Sequence, residues 1–431
     1  MMWLKPIGLC ASMAVITSLP VQGQQLLALD DCVRLALGAP SAVQSAEREQ
    51  AIAGERQTAA RAGRLPQLAL NSTYAYNSPN SHTPNPFSFV ALNAVREYLA
   101  VADASWNLDF SGRLRAVRAR ERAGGDVAAA DLAIARRDLR RTVAWAYYNL
   151  LLARRIVRLE EASLEEAREF ERTVRARHAG GEASRADILK ASVQRSQFEQ
   201  RLAQAQLDAT LSNQILASFW TTDVDVALPV EDILDSATTL PAEIQEHDPQ
   251  QAATALAQRP ELARMDALSR SFGAERTIAR AGLRPEANLV FQYGLDSIQV
   301  RSNHLGYAAY VNLNVPVFDW FRARSGAREA SYRNEQVRIQ RASAERALTR
   351  EYQAARSRVR SWHERIRMAQ SAADNTRENL RLVRLLYDSG EGSALDVVLS
   401  QEAATQAGRT FYSAIADYQR AAADFELAAG R

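Results

Sequence analysis

The residue types that carry most enzyme chemistry are sparse in this chain and badly placed for it. The histidines stand at His82, His178, His247, His304 and His363, with no pair at metal-ligand spacing. No nucleophile elbow or Gly-rich phosphate loop occurs. The nearest approach, Gly390-Glu391-Gly392, precedes a helical pattern without following a strand. Catalysis is not expected, and neither is a cofactor or a metal. What does recur is a carboxylate set in one frame twice: Gly181-Glu182-Ala183-Ser184-Arg185-Ala186-Asp187 and Gly390-Glu391-Gly392-Ser393-Ala394-Leu395-Asp396. Glycine suits a chain reversal, and Ser184 and Ser393 are placed to cap the helices that follow.

That recurrence is one of two. Ala60-Arg61-Ala62-Gly63, with Pro66 after it, returns 219 positions later as Ala279-Arg280-Ala281-Gly282, with Pro285. Asp187 and Asp396 are 209 apart, as are Arg113 and Arg322. Equal-length segments between matching anchors mark a duplicated chain, the first copy carrying ten extra residues between Pro66 and Arg113.

Within the equal-length segments the period is helical. Leu139, Val143, Ala146, Leu150, Ala153, Val157 and Leu164 fall on alternating four- and three-residue steps, with Glu160 interrupting. The second copy answers with Leu348, Tyr352, Ala355, Val359, Trp362, Ile366 and Ala373, and Ala369 at the Glu160 position. This is coiled-coil spacing. With no proline from Arg113 to His178, a continuous helix reaches about 100 Å at about 1.5 Å per residue. The pair Gly124-Gly125 is a candidate bend.

Between Pro66 and Arg113, and between Pro285 and Arg322, the period changes to two. Tyr98, Ala100, Ala102, Ala104, Trp106, Leu108 and Phe110 alternate with Asp103, Ser105, Asn107 and Asp109. Leu305, Tyr307, Ala309, Val311, Leu313, Val315 and Val317 alternate with Gly306, Tyr310, Asn312 and Asn314. Partner strands are expected over 67–77 and 286–296. Each is long enough for a tilted transmembrane strand. Four strands cannot enclose a water-filled pore, and open edges are forbidden in lipid, so several chains must share one barrel. Three would supply twelve strands. Turn-rich stretches at 78–86 and 297–304 are the expected outer loops. Phe110, Phe318, Trp320 and Phe321 mark the other barrel end as interface aromatics.

The first residues carry an address. Lys5, the apolar run Ile7–Leu19 and Val21-Gln22-Gly23 form a secretory signal over 1–23, too short to span a bilayer. Neither Cys10, behind Leu9, nor Cys32, behind Asp30 and Asp31, suits lipidation. Removal of the signal leaves Cys32 alone, so no intrachain disulfide is expected. Basic and acidic residues nearly balance, 53 against 50, for a net charge of +3. Even the run Arg113, Arg115, Arg118, Arg120, Arg122 reads as a solvated helix face, so nucleic acid is not an expected partner. The resulting organisation is a first repeat over 24–218, with strands near 67–77 and 98–110 and helices near 29–65, 113–179 and 184–218. A connector follows over 219–259, with Val224–Leu228 β-like. The second repeat covers 260–431, with strands near 286–296 and 305–318 and helices near 260–284, 322–388 and 393–429.

This plan resembles the outer-membrane efflux proteins typified by TolC over essentially the whole mature chain. Leu27-Ala28-Leu29-Asp30-Asp31 is similar to that family's usual start, and Arg61–Pro66 to its helix-to-strand junction. The paired glycine turns are the most specific likeness. The resemblance implies a mainly α protein with a transmembrane β-barrel, four strands per chain closing a 12-stranded barrel in a homotrimer. It implies a long coiled-coil periplasmic tunnel under a barrel embedded in the lipid of a Gram-negative outer membrane. The function implied is the exit duct of a tripartite efflux or type I secretion system. A periplasmic adaptor and an inner-membrane pump of RND, ABC or MFS type would dock at the helical tips. Those tips correspond to Gly180, Gly181, Glu182, Ala183 and Ser184, and to Gly390, Glu391, Gly392 and Ser393. The resemblance further makes Tyr387 and Asp187 a latch on the closed entrance and Asp396 part of an acidic ring. Two positions depart from the family pattern: Gly392 replaces a latching arginine, and Leu399 a second ring aspartate. The competing reading is a periplasmic coiled-coil adaptor or scaffold without a pore, which would wash off the outer membrane with salt.

Overall fold

The computed structural model describes residues 26–79, 94–234 and 249–430, with Leu240 and Ile244. The expected signal segment and most of the first outer loop lie outside the described residues. Helices α1 (Leu29–Gly38) and α2 (Ala42–Ala62) lead into strands β1 (Gln67–Tyr76) and β2 (Arg96–Leu108). Helices α3 (Arg113–Ala179) and α4 (Arg185–Ala217) complete the first half. A short helix, α5 (Pro249–Ala257), lies inside the connector. Then α6 (Pro260–Ala281), β3 (Glu286–Ser297), β4 (Leu305–Asn314), α7 (Arg322–Asp388) and α8 (Ala394–Ala428) repeat the plan. The long helices α3 and α7 have 67 residues each and start 209 positions apart.

Several boundaries differ from expectation for local reasons. The helix expected over 29–65 is two helices, because Pro40 cannot continue an α-helix and forces Ala39 extended, φ −84° and ψ 157°. The strand expected over 305–318 stops at Asn314, short of Pro316, which has no N–H for the ladder. β2 occupies 96–108 rather than 98–110, since Asp109 turns to bond the amides of Leu114 and Arg115 at 2.9 and 3.0 Å. Val224–Leu228 is not a strand; Val230 alone bridges, parallel to Leu27. Gly124 and Gly125 do not interrupt α3, whose ladder continues through both.

The four strands form one antiparallel sheet in the order β1-β2-β3-β4. Its register aligns Leu70 with Ala102, Ala102 with Tyr293 and Tyr293 with Tyr307. Paired residues share a face, so one side is an apolar and aromatic surface. The neighbouring row aligns Ala69, Asp103, Gln292 and Ala308 on the opposite, polar side, where the Asp103 carboxylate accepts from Asn71 and Gln292. Among the described residues the outer edges of β1 and β4 are unpaired.

The seam residues bury as their spacing requires. Val143, Leu150 and Val359 are completely buried, and Tyr352, Ala355 and Ile366 nearly so. They join a main cluster at the helical waist with Cys32, Tyr147, Leu216, Phe425 and the connector residues Leu228, Val230, Leu234 and Ile244. Hydrogen bonds pin the connector there. Tyr147 donates to Glu231 O at 2.7 Å and Arg154 to Leu228 O at 2.7 Å. Burial, with Asp31 adding to it, pushes the Cys32 thiol up to about 11, so it remains protonated and inert. A smaller cluster at the other end holds Phe170, Val174, Leu380, Tyr387 and Val397 together.

Candidate functional site

The expected site residues gather at that far end, where each helical hairpin reverses. Both reversals are built alike. Gly181 and Gly390 take left-handed φ values of 82° and 85°. The Gly181 amide bonds His178 O and the Glu182 amide bonds Arg177 O, each at 2.9 Å. Gly390 and Glu391 bond Tyr387 O and Leu386 O at 3.1 and 3.0 Å. These paired bonds are the Schellman closure of a helix C-terminus, which needs φ > 0 at its glycine.

The next helix starts from a capping box. The Asp187 amide donates to Ser184 Oγ at 3.2 Å, while the Asp187 carboxylate accepts from the Ser184 amide and hydroxyl at 3.3 and 2.7 Å. Ser393 and Asp396 reproduce this at 3.2, 3.4 and 2.8 Å. Both aspartates therefore serve the local fold, a role their spacing from serine carries on its face. The Ser184 hydroxyl, with Lys190 at 3.1 Å, holds the Asp187 carboxyl below the usual carboxylate range. Asp396 is exposed, as are Gly180, Gly181, Glu182, Ser184, Gly390, Glu391 and Ser393; Ala183 and Gly392 are half-buried.

Tyr387 is buried on the second tip. Its ring meets Phe170 edge-on at 5.2 Å between centroids, and the Arg177 guanidinium lies 4.7 Å over it. Burial raises its phenol above the ordinary range; Arg177 opposes the shift and Asp187 adds to it. Among the described residues the hydroxyl has no hydrogen-bond partner. The bond to Asp187 that the resemblance implies is not formed among them, and that carboxylate accepts from Ser184 and Lys190. Arg177, which sequence reasoning missed, makes the cross-repeat link instead. It donates to Tyr387 O and Asp388 O, both at 2.7 Å, from 210 and 211 residues away.

Gly392 has a steric reason. A Cβ there would lie 2.8 Å from Tyr387 N and 3.0 Å from Leu386 C, so no side chain, arginine included, fits this backbone. The corresponding residue of the first tip is Ala183, whose carbonyl bonds the His178 ring at 2.7 Å. Leu399 is 58 % exposed.

At the opposite end of the helices stand Phe110, Phe318, Trp320 and Phe321, all exposed, with Phe318 packed edge-on against Trp320 at 4.8 Å. Trp320 and Phe321 take φ values of 53° and 64°, unusual for bulky side chains. Phe321 stands where the first repeat has Gly112 at φ 78°. Among the described residues no group of three or more His, Cys, Asp or Glu could hold a metal, and no helix is long and apolar enough to cross a membrane.

These features agree with what comparison finds. The family model for outer membrane efflux protein matches residues 33–221 and 252–431, and the chain belongs to that family. Among characterised relatives, the cobalt-zinc-cadmium resistance protein CzcC of Cupriavidus metallidurans is 23% identical over 357 residues, covering 81% of each chain. The outer membrane protein VceC of Vibrio cholerae superposes with a TM-score of 0.80 at 18% identity, covering 93% of this chain and 96% of that one. The open-state outer membrane channel MtrE of Neisseria gonorrhoeae gives 0.78 at 21% identity, covering 93% and 88%.

Proposed function

We propose that the chain is one subunit of a trimeric exit duct in the outer membrane of a Gram-negative cell, without a lipid anchor. The observation that carries this reading is the sheet: long strands, one apolar face and two unpaired edges. In a four-stranded antiparallel order β1 and β4 run in opposite directions. β4 of one copy therefore pairs antiparallel with β1 of the next, and three copies close twelve strands without an edge. The polar side with Asp103, Gln292 and Asn312 then lines water, and the apolar side meets lipid. The interface aromatics Phe110, Phe318, Trp320 and Phe321 sit at the membrane's inner boundary.

The helices extend into the periplasm, and their tips take a periplasmic adaptor and an inner-membrane pump of RND, ABC or MFS type in a tripartite efflux or type I secretion system. Support comes from the exposure of both tip turns. Three copies of Asp396 about an axis supply a cation-attracting ring, and Asp187 and Tyr387 belong to the same aperture. The likeness to CzcC, named for cobalt, zinc and cadmium resistance, makes those cations the first cargo to test.

The test is purification in detergent followed by planar-bilayer recording. A trimer with discrete conductance steps is expected, with Asp396→Asn weakening block by multivalent cations. A stable monomer that retains all its β-structure would refute the shared barrel.

A further inference from the structure

We propose that Arg177 is the clasp that joins the two hairpin tips of each subunit and restrains the entrance from opening; this deepens the channel reading and rests on it. The duplicated tips are alike in their turns and caps, yet their helix ends are satisfied differently. The last turn of α3 contains two basic residues, Arg177 and His178, whereas that of α7 contains none. Arg177 turns away from its own helix and donates to the final carbonyls of α7, Tyr387 O and Asp388 O, both at 2.7 Å. Its charge thus sits at the negative end of the partner helix dipole. The guanidinium also covers the Tyr387 ring, 4.7 Å from its centroid, and lies 3.7 Å from the Asp388 carboxylate. A planar fork between two carbonyls and a ring face is a task for arginine and not for lysine.

Beside the apolar packing of Tyr387 on Phe170, other polar restraints at the same place are weak. The Tyr387 hydroxyl is unbonded, the Asp187 carboxylate is held by its own cap, and Gly392 has no side chain. Further polar links between the hairpins, Arg384 to Glu166 at 3.3 Å and Arg201 to Glu402 at 2.6 Å, lie farther back along the helices. Separating the end of α7 from the end of α3 therefore breaks both Arg177 bonds and the ring stack together.

The experiment compares Arg177→Ala, Arg177→Gln, Arg177→Lys and Tyr387→Phe in the full-length protein. One readout is open probability in planar bilayers; the other is amide exchange at residues 388–392 against 180–184. Arg177→Ala is expected to raise open probability at least about tenfold, the loss of one charge-assisted bond at the weak end of its range. Exchange should rise similarly at 388–392 and stay unchanged at 180–184. Arg177→Gln, which retains a donor without charge, gives the same direction if the alanine variant assembles poorly. Arg177→Lys lies between it and the unmodified protein. Tyr387→Phe retains the ring and the carbonyl, so it matches the unmodified protein. Unaltered exchange and gating in both Arg177→Ala and Arg177→Gln would overturn the proposal. A rise in Tyr387→Phe alone would move the restraint to the phenol and overturn it equally. Accelerated exchange at 388–392 in a protein that forms no pore would support the clasp and count against the channel reading alone.

Discussion

The two repeats agree where a long element must be built and diverge where it ends. Strands, 67-residue helices, Schellman turns and capping boxes recur at corresponding positions. The exceptions are local: Gly112 against Phe321 at the barrel end, Ala183 against Gly392 and Leu386 against Arg177 at the tips. Duplication supplied a scaffold, and the substitutions that break its symmetry sit at the two ends of the long helices.

The largest effect tests the symmetry. Ala102 and Val311 are corresponding residues on the apolar sheet face. Arginine at either should cost roughly 2–4 kcal/mol near the bilayer middle and block insertion. Asn312→Arg, on the polar face, should insert. Recovery of urea-resistant trimer from outer membranes measures this. Loss in one repeat only would mean that the two hairpins do not share one lipid-facing band.

A smaller effect tests the asymmetry. Gly392→Ala forces a methyl group against the backbone of Leu386 and Tyr387, an overpacking worth about 1–3 kcal/mol. Ala183→Gly removes a methyl from a half-buried turn and should change stability by less. Amide exchange at the two tips separates them: Gly392→Ala should loosen 386–392 and leave 177–183 as it was. Equal loosening at both tips would show that Gly392 is not special to its turn.

Much of this was legible in the sequence, for identifiable reasons. Period-two alternation over Tyr98–Leu108 and the heptad steps from Leu139 are set by local geometry, so faces and helix lengths followed from them. The breaks at Pro40 and before Pro316 were in plain view, yet a regular pattern on either side obscured them. Ser184 and Ser393 stand where their spacing from the glycine turns places helix caps, and Asp187 and Asp396 complete them as capping boxes. Arg177 left no signal at all. Its bonds go to main-chain carbonyls some 210 residues away, which place no demand on residue type at Tyr387 or Asp388. The burial of Tyr387 likewise depends on Phe170 from the other repeat.

The smallest effect concerns the caps, and it decides whether the two aspartates are scaffold or gate. Ser184→Ala and Ser393→Ala should each cost about 1 kcal/mol of local helix stability, read as faster exchange in the first turns of α4 and α8. The first cap also has a pH signature. Its carboxyl, Asp187, is depressed in the folded protein, chiefly by the Ser184 hydroxyl and then by Lys190. A depressed folded value contributes stability that is fully present above the unfolded value of about 3.9 and is lost as pH falls through the folded one. The start of α4 should therefore hold through mild acid and loosen only below about pH 4. In Ser184→Ala the main cause of the depression is gone, so less stability remains for acid to remove, and the start of α4 should loosen less on acidification than in the unmodified protein. If acid loosens both proteins equally, the hydroxyl does not hold the carboxylate, and Asp187 is free to serve the aperture instead of its own helix.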